Sequence, residues 1–563
     1  MTSKKTFWSI VLLSCAIIIV LPLTSDGIYV ADDLLFHLNR IEGIKEGLLA
    51  GQFPVRVQAY QLNGYGIPTS IFYPDLFLYL PALMRVLGLP YSIVYPAFSA
   101  FIILLTIITS WCAFSLLMKY GNCENYVSIG AMAAALYVSY WYYFMDLYQR
   151  ADVGETIALA FMPLAIVSFL GIIYGHFGQW PITVIAITGV FQSHLLSTIF
   201  LAVIFLVIGA FYWRRVFRKE QCIAIAKLVA FSFLINLWFL LPFLYFYHHM
   251  NFYVPMVYDD NFKPYIESWN SKFLLIQSLY FGFPTVIGMA FFIYQWLRKG
   301  EYIPKLFKMI FAFSLLCMIA CTSVIPWNEL KTFPGLNNIT LIHFSWRFMI
   351  LAAPCIVACS AIGFVQAITV KKNAEIILSL ICIFTCILNT VLFTVYLDVR
   401  SVYRSSYSFN YTIRDNALPS YAYGGSKDYF YLDVDFKNMR NSKGELLSVQ
   451  NTCNNGNIFD IRRMGTTISF QYACDKDTLV EMPLFYYDGY VCESSNGDRL
   501  EIGQSPDHIM LITLPAGTNH VTVKYEGLPP FRVGDWISMI SLIALIFVIY
   551  KEKNYGKYKF KRC

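Results

Sequence analysis

Apolar runs of bilayer length recur from Phe7 to the carboxy-terminal region, and they fix the class of fold before any motif is read. A helix needs about 20 apolar residues to cross the roughly 30 Å hydrocarbon core of a membrane. Lipid offers backbone amides no partner, so runs of this kind must satisfy themselves as helices. They predict about twelve crossings, near residues 7–23, 92–117, 126–145, 156–175, 181–193, 195–212, 222–246, 273–296, 305–323, 348–369, 375–397 and 534–550. Of the 563 residues 57% are hydrophobic and 14% charged, which excludes a water-soluble chain of this length. The first run follows Lys4 and Lys5, but "LPLTSDG" has no small-x-small cleavage site, so it reads as an uncleaved anchor.

Charge then orients the spans. Lys4 and Lys5, Lys119, the Arg214, Arg215, Arg218 and Lys219 group, Arg298, Lys299 and Lys305, Lys371 and Lys372, and the tail "KEKNYGKYKFKRC" all fall on one side if the crossings alternate. By the positive-inside rule that side is the cytoplasm, with both termini there, as for a multi-pass protein of a plasma (inner) membrane. The formal net charge of +7 is thereby spent on loops and tail, with no basic face that would engage nucleic acid.

The expected organisation is a polytopic α-helical membrane domain over 1–397 with a structured first external loop (24–91), an extracytoplasmic β-rich domain over 398–533, and a final transmembrane helix with its basic tail over 534–563. The first loop reads as a helix over 32–50, ended by Gly51, followed by a Tyr/Pro/Gly-rich stretch lying on the membrane surface. Beyond residue 398, "TTISFQYAC", "DHIMLITL" and "HVTVKYEG" alternate apolar and polar residues between "NGD" and "PAG" turns, the pattern of a two-sheet antiparallel sandwich. Tyr486, Tyr487 and Tyr490 there read either as an aromatic surface for an acceptor glycan or as packing of the sandwich. Of fourteen cysteines, ten lie in or beside predicted spans and suit small apolar packing. Cys453, Cys474 and Cys492 allow one disulfide, whose pairing the sequence leaves open.

Against this apolar background the ionisable residues at the external ends of the spans carry the chemical information. In "DGIYVADDLLFHLNRIEG", Asp33, His37 and Arg40 are spaced to share one helical face, with Leu34, Leu35, Leu38 and Ile41 on the other. The bland alternative is Asp32 as helix N-cap with Asp33 in the first turn. In "YQRADVGETIALAFMPLAI", Arg150, Asp152 and Glu155 cluster before a span, a pattern that a capping box also explains. His194 is the one ionisable residue of a long apolar stretch and either serves a site or caps a hairpin tip. Arg347 in "LIHFSWRFMI" reads as a phosphate contact or as an interfacial anchor. Ion-coupled transporters place such groups near the midplane, whereas here the middles of the spans are nearly free of charge.

Taken together, "DDLLFHLNRIEGIKEGLLAGQFPVR", "GYGIPTSIFYPDLFLYLPAL", "YQRADVGETIALAFMPLAI", "QSHLLS", "SWRFM" and "MPLFYYDGYVCESSNGDRLEI" followed by "LPAGTNHVTVKYEG" resemble the bacterial YfhO-like membrane proteins of the GT-C glycosyltransferase superfamily, over nearly the whole chain. Related bacterial proteins carry the label 6-pyruvoyl-tetrahydropterin synthase-related, although no pterin or zinc pattern is present here. The opening motif also resembles the D-x-x-[YF]-H-x-x-R segment of oligosaccharyltransferase catalytic subunits, through Asp33, Phe36, His37 and Arg40. Leu34 departs from that pattern, and the absence of a WWDYG-like acceptor motif points away from peptide glycosylation.

The resemblance implies sugar transfer on the external face from a polyprenyl-phosphate-linked donor to a cell-envelope polymer or glycolipid. It implies Asp33 as general base with Asp32 as alternate, and Arg347 and Arg150 steadying the departing phosphate. His37, Arg40, Asp152, Glu155 and His194 would position acceptor or sugar. If a metal takes part, the resemblance implies Mg or Mn held by Asp33, Asp152 and Glu155. The alternatives are a non-catalytic transporter or flippase of lipid-linked saccharides, and an envelope-assembly component.

Overall fold

The computed structural model describes residues 2–24, 31–59, 62–254, 266–268, 282–298, 303–368, 373–403, 429–431 and 456–559. Its helices, in chain order, are α1 (Thr2–Val20), α2 (Leu34–Leu49), α3 (Tyr91–Tyr120), α4 (Tyr126–Val138), α5 (Val153–Ile173), α6 (Trp180–Phe191), α7 (Leu195–Phe211), α8 (Lys219–Ile235), α9 (Leu237–His249), α10 (Phe283–Arg298), α11 (Lys305–Ala320), α12 (Met349–Ile368) and α13 (Ala374–Tyr403), with α14 (Pro529–Lys559) after the strands. Among the described residues six helices are long and apolar enough to cross a membrane, and α8 with α9 makes a seventh as a span bent by 69°.

Each of the twelve expected crossings overlaps a helix, and among the described residues not all of these helices are long enough to span by themselves. The apolar run 126–145 shows why. Its helix α4 stops at Val138, and the remainder becomes a separate turn (Trp141–Phe144) and a π-helical turn (Met145–Arg150). Hydropathy reports composition, and a tightly packed aromatic turn scores as well as a helix.

The bundle is centred on α5 and α12, whose most apolar windows are 94% and 89% buried, against 22% for α14, which presents its apolar residues outward. Close helix contact rests on small residues. A Cβ at Gly363 of α12 would lie 2.1 Å from the Gly288 carbonyl oxygen of α10, so these two backbones touch directly.

Seven strands follow: β1 (Gly456–Met464), β2 (Thr467–Cys474), β3 (Thr478–Phe485), β4 (Tyr490–Ser494), β5 (Ile502–Gln504), β6 (Ile509–Leu514) and β7 (Gly517–Tyr525). They form antiparallel sheets of order β1-β2-β7-β4 and β3-β6-β5. Ile468, Phe470, Tyr472, Val480, Met482, Leu484, Ile512 and Val523 fill one shared core, as the alternating residues of β2, β6 and β7 predict. Tyr487 and Tyr490 belong to that core, which decides for packing over an exposed glycan platform, while Tyr486 is half-buried. Cys474 and Cys492 are free buried thiols and not a pair; Cys453 lies outside the described residues, as do Lys299, Lys371, Lys372, residues 273–281 of the eighth expected crossing and most of 404–455. Helix crosses both expected domain boundaries, since α13 continues to Tyr403 and α14 begins at Pro529.

The strands dock on the segment after α2. Phe485 N–H donates to the Tyr65 carbonyl (2.9 Å), Gln52 Nε2 to Thr466 Oγ1 (3.4 Å), Tyr487 hydroxyl to the Gly66 carbonyl (3.3 Å), and the Arg463 guanidinium to the Gly64 carbonyl. The first loop is therefore held between bundle and sandwich.

Candidate active site

Two backbone hydrogen bonds tie the segment before α2 to the segment before α5. Asp32 N–H donates to the Gln149 carbonyl (3.2 Å) and Asp33 N–H to the Arg150 carbonyl (2.7 Å). After the π-helical turn, Ala151 adopts φ 50°, ψ 39°, a left-handed conformation that costs a residue with a Cβ of order 1–3 kcal/mol. This breaks the helix and lets Asp152 cap α5 through Oδ1, which accepts from Glu155 N–H at 3.0 Å. One half of the expected capping box is thus present. The Glu155 side chain does not complete it and turns inward.

Arg150 is the hub. Its Nη1 donates to Asp146 (2.8 Å) and Glu155 (2.9 Å), and its Nη2 to Asp152 (2.7 Å) and Asp33 (3.4 Å). Arg347, in the short turn Ser345–Phe348 that leads into α12, donates through Nε to Glu155 (3.3 Å) and through Nη1 to the Ile342 carbonyl (3.0 Å). Tyr142 hydroxyl also bonds Glu155. His194 caps α7, its Nδ1 lying 2.7 Å from Ser197 Oγ. The amino-terminal ends of α5, α7 and α12 thereby converge, each with an effective charge of about half a proton, on one negative cluster.

Four carboxylates (Asp33, Asp146, Asp152 and Glu155) face two guanidiniums. Burial and the neighbouring Glu155 charge push the Asp146 carboxyl well up, against the pull of Arg150. Burial raises Asp152 too, but Arg150 with the His37 hydrogen bond outweighs it and holds that carboxyl well below its ordinary range. Burial pushes Asp33 up to about 6, with Arg150 opposing and Asp152 assisting. The Asp33 side chain is nevertheless 41% exposed, against 6% for Asp152 and none for Asp146 and Glu155. It alone of the four reaches the solvent side.

Other expected residues fall differently. Asp33, not Asp32, stands at the N-cap of α2, and its side chain makes no capping bond because it faces Arg150. Asp32 is exposed. His37 is buried with Nε2 3.7 Å from Asp152 Oδ1, and burial lowers its proton affinity. Arg40 touches none of the carboxylates and meets the cluster only through His37 (Nη1 to Nδ1, 3.4 Å): its Nη2 donates to the carbonyls of Tyr73 (3.1 Å) and Pro74 (2.7 Å), and its guanidinium lies 4.2 Å from the Tyr73 ring centre. Asp146 and Tyr142 were not expected. Asp146 had a signal, the i, i+4 spacing to Arg150, whereas Tyr142 had none.

One carboxylate oxygen each from Asp152 and Glu155 and one His194 nitrogen lie within 4.8 Å of one another. This mixed donor set suits an ion such as Mn better than Mg, and it has His194 where Asp33 was expected. Arg150 already shares both carboxylates.

Fold and site together define a polytopic membrane protein with a buried acid–arginine cluster at the convergent ends of its central helices. No family model matches the chain, and no curated protein matches it. Among solved structures it is similar to ArnT from Cupriavidus metallidurans, crystallised with undecaprenyl phosphate, at 8% identity and a TM-score of 0.37 over 90% of this chain and 98% of that one. A likeness of that degree assigns neither activity nor site.

Proposed function

We propose that the chain is a GT-C-type membrane glycosyltransferase that moves a sugar from a polyprenyl-phosphate-linked donor to a cell-envelope polymer or glycolipid at the external face of a plasma membrane. The observation that carries this reading is the placement of Asp33, a solvent-reaching carboxylate raised to about 6, beside Arg150 in a cluster that Arg347 joins through Glu155. A phosphate-linked sugar brings its own leaving group, so a strong general acid is unnecessary. What remains is a base for the acceptor hydroxyl and positive charge for the departing phosphate.

Asp33 takes the proton of the acceptor hydroxyl while the acceptor oxygen bonds to the anomeric carbon. The bond from that carbon to the phosphate oxygen breaks, and its electron pair leaves with the lipid phosphate. Arg347 is the better phosphate partner, since Arg150 is shared among four carboxylates and serves chiefly to hold them. The helix amino termini add to the positive field at the same place. Asp152, Glu155 and His194 would hold a divalent ion if one binds, which would supply further charge for the phosphate.

The test uses full-length protein in proteoliposomes with purified polyprenyl-phosphate sugar. Asp33→Asn is expected to elute and insert as the wild type does and to lose transfer by about 10²–10⁴-fold. Full transfer by Asp33→Asn removes the base assignment. Lipid-sugar translocation without any transfer would instead favour the flippase reading.

A further inference from the structure

Beside the carboxylate cluster lies a small cavity lined by His37, Arg40, Asp75, Gly154, Gln192 and Ser193 among others, with room for about one water molecule. Three of the lining side chains present unpaired polar atoms. Asp75 is 2% exposed and neither carboxylate oxygen has a hydrogen-bond partner; Arg40 Nε and Gln192 Oε1 are likewise without one, in residues each 1% exposed. The remaining polar atoms of Arg40 and Gln192 are in use: Arg40 Nη2 on the carbonyls of Tyr73 and Pro74, Arg40 Nη1 at 3.4 Å from His37 Nδ1, and Gln192 Nε2 on Asn236 Oδ1. The Arg40 charge and the nearby Ser70 hydroxyl offset part of the cost of burying Asp75 without giving its oxygens a well-formed bond. Leaving a buried polar atom unsatisfied is costly, so several around one cavity call for a ligand.

The donor and acceptor pattern restricts that ligand. It must accept from Arg40 Nε–H, donate to Asp75 or to Gln192 Oε1, and fit a space of water size. A hydroxyl meets all three conditions. The place is also right: Gly154, in the first turn of α5, belongs to the wall, and a Cβ there would lie 2.8 Å from the Ser193 carbonyl, so the wall admits no larger residue. His37 lines the cavity and also lies 3.7 Å from Asp152 of the cluster.

We infer that Asp75, Arg40 and Gln192 form a subsite for one hydroxyl group of the sugar that the enzyme transfers. The inference rests on the glycosyltransferase reading and extends it by naming specificity-determining residues next to the reacting groups. In the absence of sugar a water holds the same three contacts, and the hydroxyl displaces it on binding.

The test crosses a change in the protein with a change in the donor. Transfer is measured for wild type, Gln192→Leu and Asp75→Asn with undecaprenyl-phosphate glucose and with its 2-, 3-, 4- and 6-deoxy analogues. The subsite predicts that one analogue loses about tenfold or more in kcat/KM with the wild type. It also predicts that each variant loses a similar factor on the intact donor and becomes indifferent to that one deoxygenation. If variant and deoxygenation losses multiply at every position, the cavity holds structural water alone and the subsite is overturned while the transferase reading stands. Absence of both transfer and donor binding in the wild type overturns both. Gln192→Leu also removes the bond to Asn236, so Asp75→Asn, which keeps the side chain's shape, carries the same test if that variant does not fold.

Discussion

Asp33 and Asp152 share one guanidinium nitrogen and behave oppositely because their surroundings differ. Burial raises both, but Asp152 has the closer Arg150 contact (2.7 Å against 3.4 Å) and the His37 hydrogen bond and stays ionised, whereas Asp33 is raised to about 6. A base acts only when deprotonated, so transfer should be complete above about pH 7 and fall as the pH drops through about 6. The kcat/KM profile measures this, and Asp33→Asn should abolish that acid limb together with the activity. Burial of an acid excess makes a second prediction. Arg150→Met leaves four carboxylates facing one guanidinium and should cost at least about 3–5 kcal/mol, visible as a large fall in the thermal transition or as lost expression. Asp146→Asn relieves the excess and keeps an acceptor for Arg150, so its transition should stay at or above that of the wild type. Most cluster members were legible in the sequence because ionisable groups stand out in an apolar chain: Asp33, Arg150, Asp152, Glu155, His194 and Arg347 all converge. Arg40 shares the helix face of Asp33 and His37 as its spacing predicts, but its long side chain reaches past the carboxylates to the Tyr73 and Pro74 carbonyls. Asp75 and Gln192 were passed over because their meaning lies in atoms left unpaired, which only packing reveals.

At the scale of elements, the bent span α8–α9 shows how polar groups manage a break in an apolar helix. Asn236 at the bend donates to the Ser232 carbonyl (2.7 Å) and accepts from Gln192 (2.7 Å). Ser538 of α14 inserts its hydroxyl at the same place, accepting from Trp238 N–H (2.9 Å) and donating to the Leu234 carbonyl (3.0 Å). Nearby, Asp535 of α14 accepts from Arg56 (2.7 Å), which ties the final helix to the first loop as well. Ser538→Ala removes both partners from a buried break and should cost about 1–3 kcal/mol, read as a lowered thermal transition in detergent. An unchanged transition would mean that the bend is held by Asn236 alone. The bend itself was not legible, because hydropathy runs unbroken across "FSFLINLWFLLPF" and one asparagine is a weak signal. Strands were easier: period-two alternation located β2, β6 and β7 to within a few residues.

For the whole molecule, the two layers meet through the segment after α2, so the helix that begins at Asp33 is braced by the sandwich on one side and by the bundle on the other. A base that must meet a substrate arriving from the membrane gains from such bracing, since small misplacements of reacting groups are expensive. The class of fold was readable because bilayer thickness and backbone hydrogen bonding leave few options; where a helix ends within an apolar run, as at Val138, was not, since apolar turns and apolar helices look alike in composition. The central claim is that Asp33 and Arg347 serve one phosphosugar. Electron microscopy of the full chain with undecaprenyl-phosphate glucose tests it most directly. The phosphate is predicted within hydrogen-bonding distance of the Arg347 guanidinium, with the anomeric carbon on the side facing Asp33. A phosphate lodged elsewhere in the bundle, with the cluster unchanged and remote from it, would contradict the account.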